Sequence, residues 1–119
     1  MDRPVARVLV VDDDVSLRLL CRVNLELDGF KVREAATIAE ADAAVADERP
    51  DVVLLDVHLQ QGDTHELLER LRGAGIPVAL VTGSADLNDY RGEADAILGK
   101  PFEPRTLAEM ARRLARVRT

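Results

Sequence analysis

The feature that most constrains the fold of this chain is a set of four short apolar runs with little alternation of polarity. They are rich in Val, Ile and Leu, and they lie at residues 5–11, 52–55, 76–81 and 94–98. Strands that are buried on both faces have this composition, and such strands occur in parallel sheets. A fifth candidate at residues 30–34 alternates more and carries charges, so we expect it at an edge of the sheet.

Helical patterns separate the strand candidates. The first covers residues 15–27, and Gly29 follows it as a stop signal. Its spacing places three apolar residues on one face: Leu20, Val23 and Leu27. Thr37 opens a second helix with a capping box, and Asp63 opens a third in the same way. Pro104 suits the first position of a last helix.

Strand and helix candidates alternate along the whole chain. Such alternation predicts a parallel sheet with helices on both faces. The fold class is therefore α/β, a flavodoxin-like (βα)5 doubly wound parallel sheet with strand order 2-1-3-4-5. The length of 119 residues suits one domain and no linker or repeat interrupts it, so residues 1–119 are interpreted as a single domain.

Composition excludes several classes of protein. The net charge of −6 does not favour direct nucleic-acid binding, which needs a basic face, and the basic stretch at residues 105–118 is interpreted as a solvated helix face. The single cysteine, Cys21, excludes a disulfide framework and is interpreted as a packing residue. No apolar run approaches the roughly 20 residues that a membrane span needs. We therefore expect a cytoplasmic domain without membrane contact.

Polar side chains follow four of the predicted strands, and parallel strands bring their carboxyl ends to one edge of the sheet. These side chains are Asp12, Asp13, Asp56, Thr82 and Lys100. Three carboxylates in one place repel one another unless a cation lies among them. A site of oxygen ligands that retains several waters favours Mg²⁺ over Ca²⁺. A carboxylate nucleophile, a divalent cation, a lysine and a hydroxyl are together suited to phosphoryl transfer.

The acidic loop after the first strand also argues against a flavin or nucleotide domain of the same fold. Those domains cradle phosphate at this position with glycine or hydroxyl residues, whereas an acidic loop repels phosphate unless a metal binds first. The last acidic residue of the loop, Asp14, is interpreted as a helix cap rather than as a ligand.

At these residues the chain resembles the receiver domain of bacterial two-component response regulators, over residues 8–114. Four segments carry the resemblance: Val10-Val11-Asp12-Asp13-Asp14 with Arg18, Leu54-Leu55-Asp56, Val81-Thr82-Gly83 and Lys100-Pro101-Phe102. Each segment is weak alone, but all four in this order at strand ends are specific. The resemblance implies a phosphoprotein of two-component or phosphorelay signalling, with a sensor histidine kinase or a histidine phosphotransfer protein as its phosphoryl donor.

The resemblance also implies a role for each site residue. Asp56 would be the phospho-acceptor, Thr82 the switch hydroxyl and Lys100 the contact to the phosphoryl oxygens. The family usually has a cis peptide before the proline at Pro101. Mg²⁺ or Mn²⁺ would be held by four ligands: Asp12, Asp13, Asp56 and the backbone carbonyl of His58.

Four departures from the family pattern accompany the resemblance. Gln60 stands where the family usually has proline, and Thr64 stands where it usually has glycine. Ile97 occupies the position that often holds a switch aromatic. The segment before the last strand is about one helical turn shorter than in a typical receiver, and residues 85–92 contain four poor helix formers, Asp86, Asn88, Asp89 and Gly92. We therefore expect a short fourth helix.

Two function classes are open at this point. The first is a receiver that accepts a phosphoryl group on Asp56 and then changes its partner binding. It would catalyse only its own phosphorylation and dephosphorylation and would otherwise not be an enzyme. Such a receiver can form a homodimer that depends on phosphorylation. The second is a phosphorylation-independent pseudo-receiver that acts as an interaction or dimerisation module. The presence of every pocket residue favours the first class.

Overall fold

The structure is a computed structural model, and it describes residues 5–57, 59, 64–83, 92 and 94–117. Within these ranges the chain forms five strands: β1 (Arg7–Val11), β2 (Lys31–Ala35), β3 (Val52–Asp56), β4 (Val78–Thr82) and β5 (Ala96–Gly99). The described ranges also hold four helices: α1 (Val15–Leu27), α2 (Ile38–Asp47), α3 (Thr64–Gly73) and α4 (Pro104–Val117).

The five strands form one parallel sheet in the order β2-β1-β3-β4-β5. The predicted fold class and strand order are confirmed, and β2 lies at an edge, as its charged pattern predicts. Every residue of β3 and β4 is buried, which matches their continuous apolar sequences. The short helix predicted at residues 85–92 falls outside the described residues except for Gly92, so it stays a prediction.

The core has two layers, one on each face of the sheet. Alternate residues of β1, such as Leu9 and Val10, point into opposite layers. The layer that contains Leu9 is covered by buried residues of α2 and α3, and the layer that contains Val10 is covered by α1 and α4. Cys21 is buried in the second of these layers, which confirms its packing role.

The helix boundaries follow the predicted signals. Asp14 is the N-cap of α1 and accepts hydrogen bonds from two amides of the first turn, so its interpretation as a cap is confirmed. Gly29 follows α1 with a φ of 96°, a left-handed value that suits glycine. Thr37 caps α2, and Pro104 is the first residue of α4. The predicted cap of α3, Asp63, lies outside the described residues.

The predicted apolar face of α1 is wrong. Leu20, Val23 and Leu27 are 45%, 44% and 81% exposed, whereas Cys21 and Leu25 are buried. The helix is apolar over most of its circumference, so its period alone does not select the face that meets the sheet. Polar contacts made near its amino end orient the helix instead, and they are described with the site below.

The remaining compositional predictions concern the surface. Arg105 and Arg113 of α4 are exposed, which agrees with a solvated basic face, while Arg112 forms an ion pair with Asp28. Among the described residues, no helix combines the length and apolar character that crossing a lipid bilayer requires.

The buried face of α1 can be tested with two leucines of the same helix. Leu25 is 0% exposed and Leu27 is 81% exposed. We expect Leu25→Ala to lower the free energy of unfolding by about 2–5 kcal/mol, because it leaves a cavity in the core. Leu27→Ala should change it by less than about 0.5 kcal/mol. Urea denaturation followed by circular dichroism measures both, and equal losses in the two variants would contradict this orientation of α1.

Candidate functional site

Sheet register brings the acidic residues of two strands to the same level. Val11 of β1 pairs with Leu55 of β3, so Asp12 leaves β1 beside Asp56, the last residue of β3. Asp13 follows in the loop that leads into α1. Each strand is parallel to its neighbour, so this level is the carboxyl edge of the sheet, where ligands of such folds bind.

The three carboxylates form one cluster. Asp12, Asp13 and Asp56 each offer a carboxylate oxygen, and these oxygens lie within 4.8 Å of one another. Asp12 is 3% exposed and Asp56 is 4% exposed, whereas Asp13 is accessible to solvent. Water therefore screens the repulsion between the carboxylates of Asp12 and Asp56 only weakly. This cluster is the predicted acidic site, with the three side-chain ligands brought together.

Lys100 supplies the positive charge of the cluster. Its Nζ lies 3.5 Å from Oδ1 of Asp56 and 3.8 Å from Oδ2 of Asp12. The backbone amide of Lys100 donates to the carbonyl of Thr82 at 2.7 Å, which fixes the start of this loop against β4. The Lys100–Pro101 peptide is cis, as the resemblance implies.

Thr82 ends β4 on the same edge of the sheet. It is 1% exposed and pairs with Gly99, the residue before Lys100. Its Oγ1 donates a hydrogen bond to the carbonyl of Gly83 at 3.1 Å. A neutral carbonyl is a weaker acceptor than a charged oxygen, so an anion placed nearby can compete with the Gly83 carbonyl for this hydrogen bond.

Burial controls the protonation of Asp12. It raises the pKa of this carboxyl from 3.8 to about 6, and the negative charge of Asp56 adds to the effect. The Asp14 amide opposes it by donating to Oδ1 of Asp12 at 2.9 Å. The carboxylate form of Asp12 is thus costly while no cation is bound.

The donor set fits a hard divalent cation. All three ligand side chains are carboxylates, and Mg²⁺ and Mn²⁺ prefer oxygen ligands. When they are ionised, three carboxylates and the ammonium of Lys100 leave two negative charges in excess, which a divalent cation balances. The fourth predicted ligand, the backbone carbonyl of His58, lies outside the described residues.

Two side chains that hold the backbone at this edge, Arg18 and Thr64, are not predicted from the sequence. Arg18, quoted only as part of a motif, donates from Nη1 to the backbone carbonyl of Asp12 at 2.7 Å. Thr64, noted as a departure from glycine, is buried, and its Oγ1 donates to the carbonyl of Val57 at 3.4 Å, just beyond Asp56. Both are side chain to backbone hydrogen bonds across a turn, over six and seven residues, and neither separation belongs to the spacings by which helices, strands and caps are read.

Comparison with known proteins gives independent evidence for the family of this chain. A family model described as the response regulator receiver domain matches residues 8–112. The chain is 36% identical over 123 residues to the DNA-binding response regulator MtrA of Mycobacterium tuberculosis, covering 99% of this chain and 53% of that protein. The chain spans about half or less of the length of the curated relatives that it matches.

Two solved structures are similar over nearly the whole chain. A CheY-like response regulator receiver domain protein from Methanospirillum hungatei has a TM-score of 0.87 at 31% identity, covering 97% of both chains. The receiver domain of NtrX from Brucella abortus has a TM-score of 0.86 at 30% identity, covering 92% of this chain and 98% of that one.

The raised pKa of Asp12 predicts a pH-dependent stabilisation by Mg²⁺. The folded pKa of about 6 exceeds 3.8, so the favourable contribution of this carboxyl is present at low pH and is lost as the pH rises through about 6. Bound Mg²⁺ should offset that loss. We therefore expect Mg²⁺ to raise the Tm by more near pH 7.5 than near pH 5, as measured by differential scanning fluorimetry.

Two variants control this experiment. Asp12→Asn should raise the Tm of the ion-free protein near pH 7.5 by several degrees and remove most of the Mg²⁺ effect. Asp47→Asn removes an exposed carboxylate of α2, 70% exposed, and should leave both quantities nearly unchanged. An Mg²⁺ effect of equal size at both pH values would contradict the prediction.

Proposed function

The chain belongs to the response regulator receiver family, and from that premise we propose that it is a phosphorylation-dependent switch of two-component or phosphorelay signalling. The observation that carries the proposal is the buried carboxylate of Asp56, with Lys100 at 3.5 Å and two further carboxylates around it. That set supplies a nucleophile, a fixed positive charge and a site for a divalent cation.

The proposed reaction is transfer of a phosphoryl group from a phosphohistidine to Asp56. A carboxylate oxygen attacks phosphorus, an oxygen–phosphorus bond forms, and the nitrogen–phosphorus bond to the donor imidazole breaks. Lys100 pairs with the phosphoryl oxygens and leaves its present contact with the carboxylate. Bound Mg²⁺, held by Asp12, Asp13 and Asp56 with the carbonyl of His58, would supply charge neutralisation for the transferred group.

Thr82 provides the proposed response to phosphorylation. The phosphoryl group brings about two negative charges to the carboxyl edge, next to the strand end that carries this hydroxyl. A charged phosphoryl oxygen is a stronger acceptor than the Gly83 carbonyl that holds the hydroxyl in this structure. The hydroxyl therefore turns toward the phosphoryl group and shifts the population of conformers around β4.

The outer face of α1 is the proposed docking surface for the phosphoryl donor. Four residues spaced by four, here called the α1 ridge, are between 44% and 81% exposed: Val15, Leu19, Val23 and Leu27. The ridge begins two residues after Asp13, so it leads directly away from the acidic cluster. A donor that carries its histidine on a helix can pack that helix along the ridge and place the histidine at Asp56.

The wider setting follows from the family. We place the chain in the cytoplasm, with a sensor histidine kinase or a phosphotransfer protein as its donor and no direct contact with nucleic acid. Its chemistry is limited to its own phosphorylation and dephosphorylation, and a phosphorylation-dependent homodimer is compatible with this role. The alternative is a pseudo-receiver, which keeps the fold and binds partners irrespective of phosphorylation.

Phosphorylation by a small donor separates the two functions. We expect acetyl phosphate with Mg²⁺ to add one phosphoryl group, detected by intact mass, and EDTA or Asp56→Asn to abolish the addition. Lys100→Ala should slow it strongly because the positive charge at Asp56 is lost. Lys31→Ala removes the other lysine of the chain, which is exposed on β2, and should leave the rate unchanged. No phosphorylation of the folded wild-type protein would favour the pseudo-receiver.

The α1 ridge is tested with a protein donor. A purified phosphotransfer protein, phosphorylated on histidine and active toward the wild-type chain, serves as the donor. We expect Leu19→Ser with Val23→Ser to slow this transfer by at least about tenfold, because apolar contact area is lost. The rate with acetyl phosphate should not change. Val5→Ser is the control, since Val5 is 58% exposed and lies two residues before β1, at the end of that strand opposite the pocket. Equal slowing with both donors would contradict a docking role.

A further inference from the structure

Arg18 connects the acidic cluster to the edge strand of the sheet. Its side chain is only 15% exposed, although it lies in the second turn of a surface helix. Nη1 donates to the backbone carbonyl of Asp12 at 2.7 Å, and Nε donates to Oε1 of Glu34 on β2 at 3.1 Å. One planar guanidinium therefore bonds the residue that follows β1 and a residue of β2 at once, which the fixed fork of donors in arginine permits.

The far end of this connection is itself held in place. Arg22, one turn further along α1, donates to the other carboxylate oxygen of Glu34 at 2.9 Å. The two guanidinium groups, Arg22 more than Arg18, hold the pKa of Glu34 below its usual range, so this carboxylate stays ionised. The amide of Asp12 also donates to the carbonyl of Ala35, the residue after Glu34, at 3.0 Å. Both backbone groups of Asp12 are thus bonded to this network.

These hydrogen bonds fix the backbone at Asp12 and Asp13, which follow β1. The carbonyl of Asp12 belongs to the peptide that links it to Asp13, so its direction sets the orientation of that peptide plane. The plane in turn sets where the two carboxylates point. Arg18 bonds the backbone and not the carboxylates, so both carboxylates remain available to a cation.

The positive charge of Arg18 and its hydrogen bond to the Asp12 carbonyl have opposite effects on cation affinity. A positive charge near a cation site weakens cation binding by electrostatic repulsion. Glu34, bonded to the same guanidinium, offsets that charge at close range. The pair therefore orients the Asp12–Asp13 peptide while adding little net charge beside the metal site.

We propose that Arg18, held by Glu34, is a positioning residue for the divalent cation site through its hydrogen bond to the Asp12 carbonyl. This inference rests on the proposed function, since it takes the acidic cluster to be a metal site. Groups that orient metal ligands from outside the coordination shell typically change metal affinity by about 10–100-fold when they are removed. We expect an effect in that range for Arg18.

The test measures cation affinity directly, without phosphorylation. Free Mn²⁺ is followed by electron paramagnetic resonance during titration of the folded protein, and Mg²⁺ competition gives the Mg²⁺ affinity. We expect Arg18→Gln and Arg18→Lys both to raise the Kd by about 10–100-fold. Arg22→Gln is the matched control, because Arg22 shares the bond to Glu34 without touching Asp12, and its Kd should stay within about twofold.

The outcomes separate positioning from charge. If Arg18 acted only through its charge, Arg18→Gln would tighten Mn²⁺ binding and Arg18→Lys would leave it unchanged, and either result would overturn the proposal. An unchanged Kd in Arg18→Gln would overturn it as well. If Arg18→Gln does not fold, Arg18→Lys carries the test alone.

A further variant distinguishes failure of this inference from failure of the proposed function. Asp13→Asn removes an accessible carboxylate of the cluster and should weaken Mn²⁺ binding strongly. If the wild-type protein binds no Mn²⁺, or if Asp13→Asn binds it equally well, the metal site itself is wrong. If these two proteins behave as expected and both Arg18 variants match the wild type, only the positioning role is wrong.

Discussion

The packing of carboxylates at the carboxyl edge of a parallel sheet is the constraint on which the rest of this structure depends. Asp12 and Asp56 are almost fully buried side by side, and Lys100 offsets only part of their charge. The register of β1 against β3 keeps them together, because both strands are held by apolar layers on two faces. The stability of the core therefore offsets an electrostatic cost at this edge. A bound cation would reduce that cost, which supports the proposed metal site.

Much of the fold and of the pocket can be predicted from local sequence. Continuous apolar strands indicate a parallel sheet, and the residues after those strands identify the pocket, because topology brings parallel strand ends together. Capping signals act over three or four residues, so Asp14 and Thr37 were identified correctly. The buried face of α1 was predicted wrongly, because apolar residues lie on more than one face of this helix. The ion pair of Arg18 with Glu34 of β2, 16 residues away, helps to fix which face of α1 meets the sheet, and residue spacing does not encode such a contact.

One helix thus meets three demands at once. The inner face of α1 buries Cys21 and Leu25 in the core, and its second turn directs Arg18 to the backbone beside the acidic cluster. Its outer face leaves the α1 ridge exposed next to the pocket. The core and the proposed docking surface both need apolar side chains, which accounts for the apolar character of α1 on two faces. A helix that served the core alone would carry one stripe and a polar outer face.

The two edges of the sheet differ in the side-chain contacts that hold them. On the β2 side, Arg18 and Arg22 join the strand to α1 through ion pairs with Glu34, of which the Arg18 pair is partly buried and Arg22 is exposed. On the other side, β5 is a four-residue edge strand of which only Leu98 is buried, and Ile97 packs against the core without the aromatic ring that this position often holds. Thr82 and Lys100 both lie at this second edge and are joined by a backbone hydrogen bond. If Asp56 is phosphorylated as proposed, both groups lie beside the new charge, and of the two strands that lead to them, β4 and β5, it is β5 that has fewer buried residues.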